Sequence, residues 1–301
     1  MLAQANRRLQ TRMRQRSEGG GGASTSTPQI SPRGRGGGGG GGGGGLGDAL
    51  NELASRSPYM QAIQSDVEDY GPDLRNLARE IASFKTDDMK ALVSFRARVD
   101  DLLDSLTDEG KVLAQAFPDG DWPSGKVEAI RVAASIHERL EAARERLDGL
   151  KDFGSANASA PPAPGQSPTA KVQAALDMAR EAVESWDKEE DASIKRFAGV
   201  GVAFPRNAGS AVKLAASKAA ARWLTAATGV ARAARSEHNV LDMSEMPESV
   251  GRALKRVASH AWDAWQFAYR VYTFAGGASE DMESASAAAA EELEQWPSAF
   301  F

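Results

Sequence analysis

The chain has 301 residues, a formal net charge of -5 and no cysteine. A disulfide framework and any thiolate metal site are therefore excluded, and no apolar run reaches the roughly 18 residues a spanning helix needs. Charge is unevenly placed: residues 1–45 carry seven Arg and one Glu, whereas residues 46–301 carry 29 bases and 40 acids.

The first 45 residues hold half of the 30 glycines, ten of them in the run Gly36 to Gly45. Ordering backbone costs about 1–2 kcal/mol per residue, and too few apolar side chains are present here to offset it, so a disordered tail is expected over 1–45. Its first 17 residues are Arg-rich and acid-free. They fit a transit peptide, a basic surface-binding helix or a solvated basic tail. Arg33 to Gly37 (RGRGG) fits either an RNA-binding Arg-Gly segment or a flexible linker.

From Leu46 onward the apolar period is helical. Ser57-Pro58 is an N-cap followed by proline at the first helical position. Tyr59, Ile63, Val67, Tyr70, Leu74, Leu77, Ile81 and Phe84 then form one stripe, predicting a long helix kinked at Gly71-Pro72. Asp87-Asp88 opens a helix with Leu92, Phe95, Val99, Leu102 and Leu106 inward. A short helix over 107–117, a loop over 118–125 and a helix over 126–150 complete an N-terminal half, residues 46–153. Residues 154–168 read as a linker by composition.

The C-terminal half, 169–301, begins with a helix on Val172, Leu176, Ala179, Val183, Trp186, Ile194 and Phe197. The 45 residues from Ala192 to Ser236 contain no acid and eight bases: Lys195, Arg196, Arg206, Lys213, Lys218, Arg222, Arg232 and Arg235. The helix within this window is predicted to bury Val212, Ala216, Ala219, Trp223, Ala226, Val230 and Ala234 and to expose its five bases on the opposite half-circle. A one-signed face of that kind attracts a large acidic partner. The helix over 247–274 is apolar nearly all round and is expected to be central. Gly276-Gly277 ends it, and Ser279 caps an acidic-first final helix.

Motifs for catalysis are weak. Gly120 to Val127 (GDWPSGKV) has phosphate-loop spacing, but Val127 lacks the hydroxyl for Mg²⁺ and no strand precedes it, so a helix-to-helix loop is the better reading. His137-Glu138 continues to Glu141 where a zinc motif needs histidine. No enzyme, no cofactor and no metal site is expected. The aromatic stripe Trp262, Trp265, Tyr269 and Tyr272 reads as core.

Four segments in register carry a wider resemblance: RSPYMQAIQSDVEDY (56–70), VDDLLDSLTDEGKVLAQAF (99–117), the loop Trp122-Pro123 to Lys126 leading into EAIRVAA, and FAYRVYTFAGGASEDM (267–282). Together they resemble the C-terminal domain of the plant chloroplast unusual positioning protein family, over residues 46 to 294. The resemblance implies an all-α fold of long kinked helices in an elongated bundle, similar to the formin homology two domain. It implies actin-filament binding and assembly for chloroplast positioning. A related branch, concerned with anisotropic petal growth, implies cortical microtubules instead. The family's apolar N-terminal anchor, long coiled coil and proline-rich segment are not matched, which leaves envelope anchoring and coiled-coil dimerisation open.

The expected filament face is Lys213, Lys218, Arg222, Arg232 and Arg235, joined by Arg252, Lys255, Arg256 and Arg270 from the aromatic helix. The expected partner is the actin filament, or alternatively the microtubule, with homodimerisation, peripheral membrane association at most and no specific nucleic acid. The expected location is cytoplasmic and cytoskeletal, with the chloroplast outer envelope as a further location. The alternative of RNA or anionic-lipid binding rests on Arg7 to Arg16 and Arg33 to Arg35. It predicts that deleting residues 1–45 abolishes retention on RNA and on anionic vesicles while leaving filament pelleting intact.

Overall fold

A computed structural model describes residues 57–150, 168–238, 240 and 246–301. Among them the chain is all-α, with eight α-helices, one 3-10 turn and no β-strand. The helices are α1 (Pro58–Ser83), α2 (Met89–Asp104), α3 (Glu109–Ala116), α4 (Ser124–Asp148), α5 (Pro168–Gly199), α6 (Gly209–Glu237), α7 (Glu248–Ala275) and α8 (Glu280–Glu294). The Arg/Gly tail expected over 1–45 lies outside the described residues. So does the expected linker, apart from Pro168, which opens α5. Two compact units divide at Arg131/Val132, inside α4.

In the unit ending at Arg131, Ser57 accepts a hydrogen bond from the Met60 N–H at 3.2 Å, and Pro58 follows as the first helical residue. The helix continues through Pro72 as one element. Ile63, Leu74 and Ile81 are fully buried on its inner face, and this packing on both sides of the proline offsets the backbone bond that proline removes. Tyr59 does not join the stripe as expected; it is 41% exposed. Its hydroxyl instead donates to Asp108 at 2.5 Å, and the Lys111 ammonium lies 4.5 Å from its ring centre. Asp108 is the N-cap of α3, and the Tyr59 hydroxyl holds its carboxyl below the usual carboxylate range. Asp66 on α1 accepts the Thr107 N–H at 2.6 Å, so α1 positions the entry of α3 twice.

Asp88 caps α2 through the Lys90 N–H at 2.8 Å, and Phe95 stacks on Phe84 with centroids 3.9 Å apart. Leu103, not Leu102, takes the inward position near the end of α2. Lys126, the lysine of the phosphate-loop spacing, donates to the carbonyls of Ala82 and Phe84 at 2.9 and 2.7 Å. Its ammonium thus satisfies orphan carbonyls at the negative end of α1. Burial pushes its pKa below the ordinary lysine value.

In the unit beginning at Val132, all seven residues expected on the inner face of α5 are buried. Phe204 packs on Trp186 and Phe197, with centroids 4.8 and 5.5 Å apart, and folds the connection back onto that helix. Gly209 opens α6; a Cβ there would lie 3.1 Å from a Val183 methyl, so glycine permits the close approach of α5 and α6. Helix α6 packs most extensively on α7 and α8, and also on α5. Its buried stripe departs from expectation after Trp223. Leu224, Ala227 and Ala231 are buried, whereas Ala226, Val230 and Ala234 are only partly covered. Neighbours on two sides widen the buried arc, which a single-stripe reading cannot anticipate.

Helix α7 is central as expected. Trp265 is 1% exposed, Ala264, Ala268 and Val271 are fully enclosed, and Phe267 packs on Trp223 at 5.3 Å. It ends at Gly276, whose φ of +75° is the left-handed conformation glycine tolerates. Ser279 then caps α8 through the Met282 N–H at 3.4 Å.

The placement of Lys126 yields a stability test. Substitution Lys126→Met is expected to lower unfolding free energy by about 1–2 kcal/mol, measured by urea titration, because two carbonyls lose their donor. Added ATP is expected to leave the melting temperature of the native chain unchanged.

Candidate functional site

Helix α6 is Ala-rich and long, so its fold is driven by packing of small side chains rather than by caps; its N-cap position, Ala208, makes no side-chain cap bond. The chain enters through Asn207 at φ +58°, whose N–H donates to Glu190 at 2.6 Å. That carboxylate comes from α5, outside the acid-free window.

Other acids reach the window in the same way. Lys213 pairs with Asp187 of α5 at 3.2 Å, and Arg206 with Asp191 at 3.5 Å. Arg232 and Arg235 both turn to Glu292 of α8, at 3.4 and 2.7 Å. The expected carboxylate-free ridge is therefore corrected: three of the five bases on α6 are neutralised by acids that lie far away in sequence. Lys218 and Arg222 remain on the exposed surface, and Lys218 has no ion-pair partner among the described residues. Arg222 donates to the Leu147 carbonyl at the end of α4, at 3.4 Å.

On α7, Arg252 pairs with Glu248 one turn earlier at 3.7 Å. Arg270 hydrogen-bonds Gln173 of α5 and Gln266 of its own helix. Lys255 and Arg256 are exposed and, among the described residues, have no ion-pair partner. Five of the nine expected residues thus carry no paired carboxylate among the described residues: Lys218, Arg222, Lys255, Arg256 and Arg270, the last bonded only to neutral amides.

Glu292 was not among the expected site residues. It is 3% exposed and is the one charged side chain in the buried set of the described residues. Arg235 donates to both its oxygens, at 2.7 and 3.0 Å, Arg232 donates at 3.4 Å, and the Trp296 indole N–H donates at 3.2 Å. Arg235 above all holds its carboxyl below the usual glutamate range. No signal in the sequence singles Glu292 out from its neighbour Glu291, because the choice depends on the rotation of α8 against α6.

Between α6 and α8 lies an open groove of about 920 Å³. Lys218, Arg222 and Arg232 line one wall, and Asp281 stands on the other. The lining between them is small: Ala221, Thr225, Gly229, Ala285 and Ala288 contribute no side chain larger than threonine. A Cβ built on Gly229 would meet nothing within 4 Å. Among the described residues no group of three or more His, Cys, Asp or Glu is placed to hold a metal ion, and no helix is long and apolar enough to cross a membrane. His260 accepts the Trp223 indole N–H at 3.2 Å.

No family model matches the chain. It is similar to an uncharacterized protein of Arabidopsis thaliana, with 30% identity over 252 residues. That match covers 84% of this chain but 32% of the relative, so the chain spans about a third of the relative's length.

The buried carboxylate makes stability depend on pH. Its folded pKa is depressed, so its contribution is fully present above the unfolded value, about 4.3, and is lost as pH falls through the folded value. Unfolding free energy is therefore expected to drop on acidification below about pH 4.5. Glu292→Gln should lose about 1–3 kcal/mol at neutral pH and show a shallower acid dependence, both read from urea titrations over a pH series.

Proposed function

We propose that this chain is a non-enzymatic, cytoplasmic cytoskeletal module that binds actin filaments and promotes their assembly for organelle positioning. The observation that carries the proposal is the pair Lys218 and Arg222, which remain exposed at an open groove after the other bases of α6 have found carboxylates. Exposed Lys255 and Arg256 on α7 supply further positive charge. The identity of the filament comes from the resemblance of residues 46 to 294 to the chloroplast unusual positioning family.

The role assigned to these four cations is steering and registration. Exposed ion pairs contribute only about 0.2–1 kcal/mol each, so contacts of this kind speed encounter and weaken sharply with salt. Arg232 and Arg235 serve instead as internal ties to Glu292, and Lys213 as a tie to Asp187. This division explains why fewer residues are assigned to the filament than the run of bases suggests.

Cosedimentation of the full chain with actin filaments and with microtubules, at low and physiological salt, tests the reading. The wild type is expected to pellet with actin in a salt-sensitive manner. Lys218→Glu with Arg222→Glu should weaken binding about tenfold or more, whereas Lys213→Ala should have little effect. Pelleting with microtubules alone would replace actin by the microtubule; pelleting with neither would remove the cytoskeletal reading.

A further inference from the structure

We infer that the groove between α6 and α8 is a docking slot for an amphipathic helix of a protein partner, one with small apolar residues along its seam and carboxylates along one edge. The inference rests on the reading of Lys218 and Arg222 as a docking surface and specifies what they recognise.

The geometry of the walls selects the kind of occupant. Lys218, Ala221, Arg222, Thr225, Gly229 and Arg232 recur at spacings of three, four and seven, so the groove follows the axis of α6. From Lys218 to Arg232 it runs about 21 Å at the helical rise, the length of a helix of about 14 residues. Both walls are helices whose backbone groups are internally bonded, so an extended strand would find no ladder to complete. A helix carries its own backbone bonds into the slot and needs only side-chain complementarity.

The floor allows close approach. Interhelical distances fall to about 8 Å where the facing residues are small, and the groove presents alanine, threonine and glycine where bulkier side chains would hold a neighbour off. Gly229 strengthens the point. Glycine disfavours a helix interior more than any residue but proline, yet no part of this unit uses the space its missing side chain leaves. Its absence of bulk leaves room for a helix seated from outside the chain.

Charge fixes the occupant's chemistry. Lys218 and Arg222 lie one turn apart and Arg232 about three turns further, so carboxylates spaced one turn apart on one edge of the incoming helix can meet the first two. Asp281 on the opposite wall asks for a base or a neutral residue on the other edge. A nucleic acid fits worse: the lining contains no aromatic ring for stacking, and Asp281 faces the slot where a phosphate chain would run.

Fluorescence anisotropy with the full chain tests this, using as probe a labelled helical peptide of about 18 residues with an Ala/Leu seam, a Glu edge and a Lys edge. The wild type is expected to bind it and to reject the same peptide with Glu replaced by Lys. Gly229→Leu and, separately, Thr225→Leu fill the slot without touching a charge and should each weaken binding at least tenfold, with helicity and melting temperature preserved. Lys218→Glu with Arg222→Glu should do the same. Failure of the Glu-edged peptide to bind, or binding that Gly229→Leu and Thr225→Leu leave intact, would overturn the inference. A wild type that is dimeric in light scattering and becomes monomeric on Gly229→Leu would overturn it too, by making a second copy the occupant. Filament pelleting run on the same variants separates the two ideas. Loss of pelling by charge reversal but not by Gly229→Leu or Thr225→Leu, with no peptide binding, keeps the filament reading and removes the helix slot; peptide binding without pelleting does the reverse.

Discussion

The register of α6 against α8 depends on one buried carboxylate. Removing an ionised carboxylate from water costs several kcal/mol unless its oxygens are paired. Glu292 meets that requirement with a two-pronged contact from Arg235, a further contact from Arg232 and the indole N–H of Trp296. The arginines come from α6, and Glu292 and Trp296 come from α8 and the turn just after it. The set therefore fixes both the rotation and the sliding position of α8 along α6. Ala285 and Ala289 on the buried face of α8 keep the helices close. The groove farther along α6 is a consequence of that register, since a different rotation would turn Asp281 and Ala288 out of it.

The same interaction changes the meaning of the acid-free window. A long run of bases without an acid reads as a cationic face only if distant acids stay distant. Here α5 brings Asp187 to Lys213 and Asp191 to Arg206, and α8 brings Glu292 to Arg232 and Arg235. Positive charge in this stretch has two uses. Part of it holds helices together, and part of it, at Lys218 and Arg222, stays on the surface. Charge used in the first way already has a carboxylate beside it, whereas the second kind stays exposed without one.

Local pattern and actual role part company at several residues. Lys126 sits at phosphate-loop spacing but closes the last turn of α1 through the Ala82 and Phe84 carbonyls. Tyr59 looked like core at the start of an apolar stripe, yet its hydroxyl gives it a polar end, and it binds the cap of α3 from the surface. Of the aromatic stripe on α7 expected as core, Trp265 is enclosed, whereas Trp262, Tyr269 and Tyr272 are only partly covered. The stripe of α5 was legible in full because that helix presents a single inner face. The stripe of α6 was legible only as far as Trp223, because two neighbours beyond that point bury a wider arc.

Sequence alone determined the helical class, the caps at Ser57, Asp88 and Ser279, the stop at Gly276 and the inner face of α5. These follow from periodicity and from bonds between residues at most four apart, so the local chain contains all the information they need. Tertiary structure decided which bases stay exposed without a carboxylate, that Glu292 rather than Glu291 is buried, and that small residues of α6 and α8 frame a groove. Each of those depends on how one helix is rotated and slid against another. Side chains 57 to 60 residues apart then meet across Arg235–Glu292 and Arg232–Glu292, and no local pattern encodes that meeting.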